Sequence, residues 1–492
     1  MRWLVGMALL LWVGPAQARW LEAETPHFIV YSDGAEPKLR EFALLLEDFD
    51  GLLRFLTGTK AAPSPNKLRV YLVRGPAALR EVREVPNSIA GMYVAAPGGT
   101  AAFAIRRDSG GEFGVEGEDV VLHEYAHHFM TQYYPYGYPA WYVEGFAEYL
   151  MTAEFTPTRI QLGRFSANRG IGLAQGNWIP AETLLTKQPG DLRPDQRGMF
   201  YAQAWLAVHY INRTPGKLAA LRAYLAAIGK GTPTPEAFQT AFGTDFVGFQ
   251  RELKRYVGGR MTYTAFDRIA ATAPPPIAVR ALPASADELL LPLANLRAGV
   301  GPDWRDKRLA QVRAAAARHP GDGFAQRVLA LAEATIGDPA AAIAVADSLL
   351  ARDAADADAL LAKATALMKQ ARDASGDDRP LLVQARQQFV RANKIAPNQV
   401  PILFGYAQVQ LASAPPTQNT LDVLLLARQL APQVAEIALL TAYTAMRRGD
   451  FVGAENLLKP IAFNPHGGEA AAAATRMIEA AKARRVEEPV GN

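Results

Sequence analysis

A chain of 492 residues is too long for one ordinary domain, so two or three are expected. Half of its residues are hydrophobic and a fifth are charged, which excludes a disordered chain, and a net charge of +4 gives no electrostatic case for nucleic acid. The absence of cysteine excludes disulfides, thiolate metal sites, a cysteine nucleophile and a lipid-modified cysteine.

Residues 1–18 read as an export signal. Arg2 gives the positive start, residues 3–13 the apolar centre, and Ala16-Gln17-Ala18 a small-x-small cleavage site. Eleven apolar residues fall short of the roughly 20 that cross a bilayer, and no later segment reaches that length. A periplasmic or secreted bacterial protein is the expectation, with no membrane span once the signal is removed.

The next region, residues 19–259, opens with a β-rich run at 27–32 (HFIVYS). Residues 36–57 carry Leu39, Phe42, Leu46, Phe49, Leu53 and Leu56 at helical spacing. Residues 67–73 (KLRVYLV) alternate as a strand, and 90–106 predict two strands joined at Pro97-Gly98-Gly99. From the histidine-rich segment to Gly258 the pattern is mainly helical.

Residues 260–284, with Pro274-Pro275-Pro276 and Pro283, predict a Pro-rich linker. Ser285 followed by Glu288 has the pattern of a capping box. From 285 to 485 alanine- and leucine-rich helices follow one another, and pairs of them close near Pro320, Ala354, Pro397, Pro432 and Pro465. The steps are 34, 43, 35 and 33 residues, close to the tetratricopeptide period of 34, and a polar insert at 373–379 accounts for the long one. ALLAKATALMKQA and AENLLKPIAFNP resemble the two helices of that repeat, although its usual Trp and Gly positions are mostly absent. A tail of residues 486–492 ends the chain.

The chemistry concentrates in residues 121–150, VLHEYAHHFMTQYYPYGYPAWYVEGFAEYL. His123 and His127 stand four apart, so a helix brings both imidazoles to one face, close enough to share a tetrahedral ion. Glu124 is turned about 100° away and is placed to reach a water rather than the metal. A catalytic zinc normally takes three protein ligands. No histidine closes the pattern HExxHxxGxxH here, and His128 points away from His127, which makes it a packing or supporting residue. The third ligand is best sought in WYVEGFAEY. Glu144 lies beyond a bend at Pro135, Gly137 and Pro139 that lets residues 140–151 fold back as a second helix. Glu148 and Asp119, each one turn from a ligand, compete to support a ligand imidazole.

HEYAHHF followed by PAWYVEGFAEY resembles the gluzincins, zinc peptidases whose third ligand is a glutamate on a second helix. The resemblance is closest to the aminopeptidase N-like branch and its peptidase-MA-like bacterial relatives, whose W-x-x-E-G-x-A is met by Trp141, Glu144, Gly145 and Ala147. It covers residues 20–258 and implies an α+β zincin-like metallopeptidase domain ahead of the all-α tetratricopeptide-like repeats. It also implies one zinc ion held by His123, His127 and Glu144, with Glu124 as general base. A downstream tyrosine that stabilises the oxyanion is implied too, for which Tyr201 is the candidate, ahead of Tyr210 and His209. Where aminopeptidases of the branch carry Gly-x-Met-Glu-Asn, this chain has Ala90-Gly91-Met92-Tyr93-Val94, without the carboxylate that grips a free amine. The resemblance therefore implies an endopeptidase acting on a protein or peptide substrate, with the repeats binding that substrate or a protein partner. The competing readings are a periplasmic tetratricopeptide-type scaffold whose zincin domain is not catalytic, and an aminopeptidase that uses another acid for the amine.

Overall fold

The computed structural model describes residues 20–86, 89–106, 117–165, 167–268 and 277–489. The expected export signal lies outside the described residues, as does Pro274-Pro275-Pro276. No helix among the described residues is long and apolar enough to cross a membrane.

A small mixed sheet begins the fold. Strands β1 (Leu21–Glu24) and β2 (Phe28–Ser32) are antiparallel and lead into helix α1 (Glu36–Thr57). Leu39, Phe42, Leu46, Phe49 and Leu53 form the buried face of α1, and Gly58, at φ 73°, stops the helix in the left-handed conformation that glycine adopts freely. Strand β3 (Leu68–Val73) returns parallel to β2. After a short helix α2 (Pro76–Arg80), β4 (Gly91–Ala96) and β5 (Gly99–Ile105) form a hairpin, with β5 parallel to β3.

Helices α3 (Gly117–Tyr133) and α4 (Ala140–Leu150) follow. The segment expected to be mainly helical then contains β6 (Glu154–Phe155) and β7 (Arg159–Leu162), which pair in a second small sheet. Helices α5 (Ala167–Gln175), α6 (Ala181–Thr186), α7 (Pro194–Arg213), α8 (Lys217–Gly229), α9 (Thr234–Phe242) and α10 (Phe246–Val257) complete this part. Phe238, Phe242 and Phe249 pack edge and face around Tyr224 to join its last helices.

The segment expected to be a linker carries two strands among its described residues. Its residues form β8 (Thr264–Asp267), paired with β7, and β9 (Ala278–Ala281), paired with β1 at the edge of the main sheet. The sheet order is therefore β4-β5-β3-β2-β1-β9. Four-residue strands carry too little alternation to be read from composition.

Eleven helices follow: α11 (Ala286–Ala298), α12 (Arg305–Arg318), α13 (Gly323–Ile336), α14 (Pro339–Arg352), α15 (Ala357–Asp373), α16 (Arg379–Ile395), α17 (Val400–Ser413), α18 (Gln418–Leu430), α19 (Ala435–Arg447), α20 (Phe451–Ala462) and α21 (Gly468–Lys482). Each packs on the next, and α13 also meets α15, α15 meets α17, and α19 meets α21, which is the stacking of a helical-hairpin array. Asp322, Asp338, Asp356 and Asp450 cap the starts of α13, α14, α15 and α20. Buried Ala330, Ala334, Ala342, Ala346, Ala359, Ala362 and Ala366 let three of these helices approach closely. The polar stretch 373–379 forms the wider turn between α15 and α16.

The two parts share a core. Helices α1 and α3 cover one face of the sheet, with Phe28, Val30, Leu46, Phe49 and Val70 in the layer between. On the other face Tyr31, Tyr71 and Phe103 stack against Ala286, Leu290, Leu291 and Ala294 of α11. The capping box expected at Ser285 is not formed. Its hydroxyl donates to Asp322, and Glu288 pairs with Arg318. The turn of the β4–β5 hairpin also meets the array, since a Cβ added at Gly98 would lie 2.4 Å from the Arg297 carbonyl oxygen.

Candidate metal centre

Helix α3 is held from behind. Tyr125, on the opposite side from His123 and His127, donates to Asp50 Oδ1 of α1 at 2.6 Å. Asp50 Oδ2 also takes Arg54 Nε at 2.5 Å, and Arg54 reaches the Tyr133 hydroxyl at the end of α3. His27 and Glu47 extend this network, their side chains 2.8 Å apart. His27, Glu47 and Asp50 bring donor atoms together, but the Arg54 guanidinium already supplies their cation, so this cluster is an anchor for α3.

The bend between α3 and α4 is fixed by Tyr134, whose hydroxyl bonds Thr59 and the Thr57 carbonyl. Pro139 sits just before α4 and starts it. Helix α4 then lies against α7 so closely that a Cβ at Gly145 would fall 2.4 Å from the Ala204 carbonyl oxygen. Trp141 and Ala147 are fully buried in the same contact. This explains the residue after the glutamate: glycine there lets Glu144 descend between the helices.

The three residues converge. His123 Nε2 and His127 Nε2 are 3.0 Å apart, and Glu144 Oε2 lies 3.5 and 3.4 Å from them. Zinc with bonds near 2.1 Å spaces tetrahedral donors by about 3.4 Å, so the set has the dimensions of a zinc site. Two ring nitrogens aimed at each other also have no use without a shared cation or proton. Glu144 has no exposed surface, and neither of its oxygens accepts a hydrogen bond of good geometry. A buried carboxylate is costly unless a cation joins it. Burial alone would raise its carboxyl, but His127, His123 and His466 outweigh that and hold it well below the ordinary carboxylate range.

Of the two supporting carboxylates expected, Glu148 faces His123, its Oε1 3.6 Å from Nδ1. Arg169 of α5 holds Glu148 by two hydrogen bonds, of 2.8 and 2.6 Å. Sequence reading missed Arg169, and no spacing rule links it to the motif. His128 is a packing residue: Tyr93 shares a 2.8 Å hydrogen bond with its Nδ1, Tyr125 stacks on it, and burial pushes it down to about 3.

Tyr201 is on the second turn of α7, with the Arg169 guanidinium over its ring at 5.6 Å. Burial, and then Glu144, Glu148 and Glu124, raise its hydroxyl above the ordinary value, which keeps it protonated as a donor. The competing residues are engaged elsewhere: His209 bonds Tyr256 and the Gly163 carbonyl, and Tyr210 donates to Glu252.

Glu124 and His127 line a cleft of about 440 Å3 bounded by Tyr93, Val94 and Ala95 of the edge strand β4 and by Tyr134, Tyr136 and Tyr138 of the bend. Its opposite wall comes from the helical array, through Gln433, Pro460, Phe463 and His466 among others. His466 Nε2 lies 2.7 Å from Glu144 Oε1. This residue was also missed from sequence, being 322 positions beyond its partner.

No protein-family model and no curated protein matches the chain. Among solved structures the chain is similar to a thermophilic TPR protein of Thermus thermophilus, with 19% identity over 40% of this chain and 99% of that one and a TM-score of 0.34.

Proposed function

We propose that the chain is an exported zinc-dependent endopeptidase of gluzincin type. The observation that carries this reading is the meeting of His123 Nε2, His127 Nε2 and the buried Glu144 carboxylate at zinc spacing beside a cleft lined by Glu124. Zinc held by these residues would supply Lewis acidity, polarising a carbonyl and making water a nucleophile near neutral pH.

The chain's own side chains do the remainder. Glu124 accepts the proton of the attacking water and passes it to the leaving amine. Tyr201 donates a hydrogen bond to the oxyanion of the tetrahedral intermediate. Glu148, fixed by Arg169, orients the His123 ring. Among the described residues strand β4 pairs only with β5, so its outer edge is available to align an extended substrate backbone. Tyr93 stands where aminopeptidases of the branch have their amine-binding glutamate, which favours cleavage within a chain. The helical array gives the protein a surface for a protein substrate or partner.

Metal analysis of the purified chain tests this reading. Near-stoichiometric zinc is expected, lost in Glu144→Ala and kept in Glu124→Gln, with cleavage of an unfolded protein abolished in the latter. A wild-type chain without zinc sinks the idea.

A further inference from the structure

The connection between α20 and α21, residues 463–467, enters the mouth of the cleft. His466 sets its Nε2 2.7 Å from Glu144 Oε1, and its ring is 5.6 Å from that of His127. Phe463 closes on the bend between α3 and α4, where a Cβ added at Gly137 would lie 2.7 Å from the Phe463 ring. One repeat earlier, Gln433 donates to the His128 carbonyl at 3.2 Å and to Gln132 Oε1 at 3.1 Å. The end of the array is thus fastened to α3 through Gln433 and to the bend that follows α3 through Phe463.

A catalytic zinc keeps one position open for water and substrate. The His466 imidazole pairs with Oε1 of the carboxylate whose Oε2 faces the two histidines, and it comes from the side by which a polypeptide would enter. We propose that His466 latches the centre by binding the Glu144 carboxylate, and that the end of the helical array is a plug that keeps the peptidase latent. A protein substrate enters only when the last repeats move off α3. This proposal rests on the zinc reading of the site.

The chain has no cysteine of its own, so an engineered disulfide can lock the plug. A Cβ at position 137 would be 3.2 Å from Phe463 Cγ, the place a cysteine sulfur would take, so a Gly137→Cys, Phe463→Cys pair lies within reach of a disulfide. Zinc release to a chromogenic chelator and cleavage of an unfolded protein are measured on full-length wild type, His466→Ala and the cysteine pair. In His466→Ala, zinc is expected to leave at least tenfold faster and cleavage to rise at least tenfold. The oxidised pair is expected to retain zinc and lose cleavage, which reduction restores. Wild-type zinc release in His466→Ala overturns the proposal, as does equal cleavage by the oxidised and reduced pair, or a pair that stays reduced in oxidant. Zinc absent from the wild type and from every variant overturns the peptidase reading itself, and this proposal with it.

Discussion

Arg169 grips both carboxylate oxygens of Glu148, and through that carboxylate it bears on His123 without touching the candidate metal site. A planar guanidinium fixes a carboxylate in orientation as well as position. Replacing Arg169 by Leu frees Glu148 to turn, and replacing Glu148 by Gln removes the charge that steadies the His123 ring. Each change is expected to weaken zinc binding by about 10- to 100-fold while leaving the far-ultraviolet circular dichroism unchanged. Competition titration with a chelator reads the effect, and wild-type affinity in both variants would remove Glu148 from its supporting role.

Tyr201→Phe deletes one hydroxyl and little else. Loss of an oxyanion donor lowers turnover by about 10²- to 10³-fold, so cleavage should fall by that factor with zinc content unaltered. The comparison is made with the plug released, in the His466→Ala background. A variant that cleaves as fast as its parent assigns the oxyanion to another group.

Gly145 is a point of close approach between α4 and α7, and the nearest atom a methyl group would meet is the Ala204 carbonyl oxygen of the backbone, with Val208 Cγ2 beside it. Backbone cannot swing aside as a side chain can. Gly145→Ala should therefore push the helices apart, at a cost of about 1–3 kcal/mol, and carry Glu144 away from the two histidines. Thermal unfolding and zinc content should fall together. Unchanged values of both would show that α4 can shift without disturbing the site.

Acid stability should report on Glu47. Burial opposes its charge, but the His27 side chain and backbone N–H bind the carboxylate and hold it below its ordinary 4.5. A carboxyl depressed in the folded state adds stability that is present above the unfolded value and lost as pH falls through the folded one. The melting temperature of the wild type should therefore drop as pH falls below about 4.5. Glu47→Gln should melt lower at pH 7 and show a shallower acid limb. Parallel curves for the two proteins would mean that Glu47 has no share in the transition.

Much of this site could be read from local spacing. The buried face of α1, the β4–β5 hairpin and the two helices around the Pro-Gly bend each follow from periodicity or turn chemistry within one short stretch. The structure brings His123, His127 and Glu144 together because that bend reverses the chain directly. What escaped the sequence is carried by contacts that leave no local pattern. Arg169 meets Glu148 across an intervening strand pair, and His466 arrives from the far end of the chain. Ser285 and Glu288 have the spacing of a cap, yet Asp322 and Arg318 claim their side chains first. In the same way β9 shows no alternation in burial, because it is an edge strand with most of its surface exposed.

The pairing of β1 with β9 also bears on the order in which the protein is made. Leu21 to Glu24 are synthesised long before their partners Ala278 to Ala281, which are translated only after the entire candidate metal centre short of His466. The main sheet thus waits, with one edge and one face uncovered, until β9 and then α11 join it. Contacts so distant in sequence form slowly, and the uncovered Tyr31, Tyr71 and Phe103 are a sticky surface in the interval. A growing chain in this state is a natural client for a chaperone.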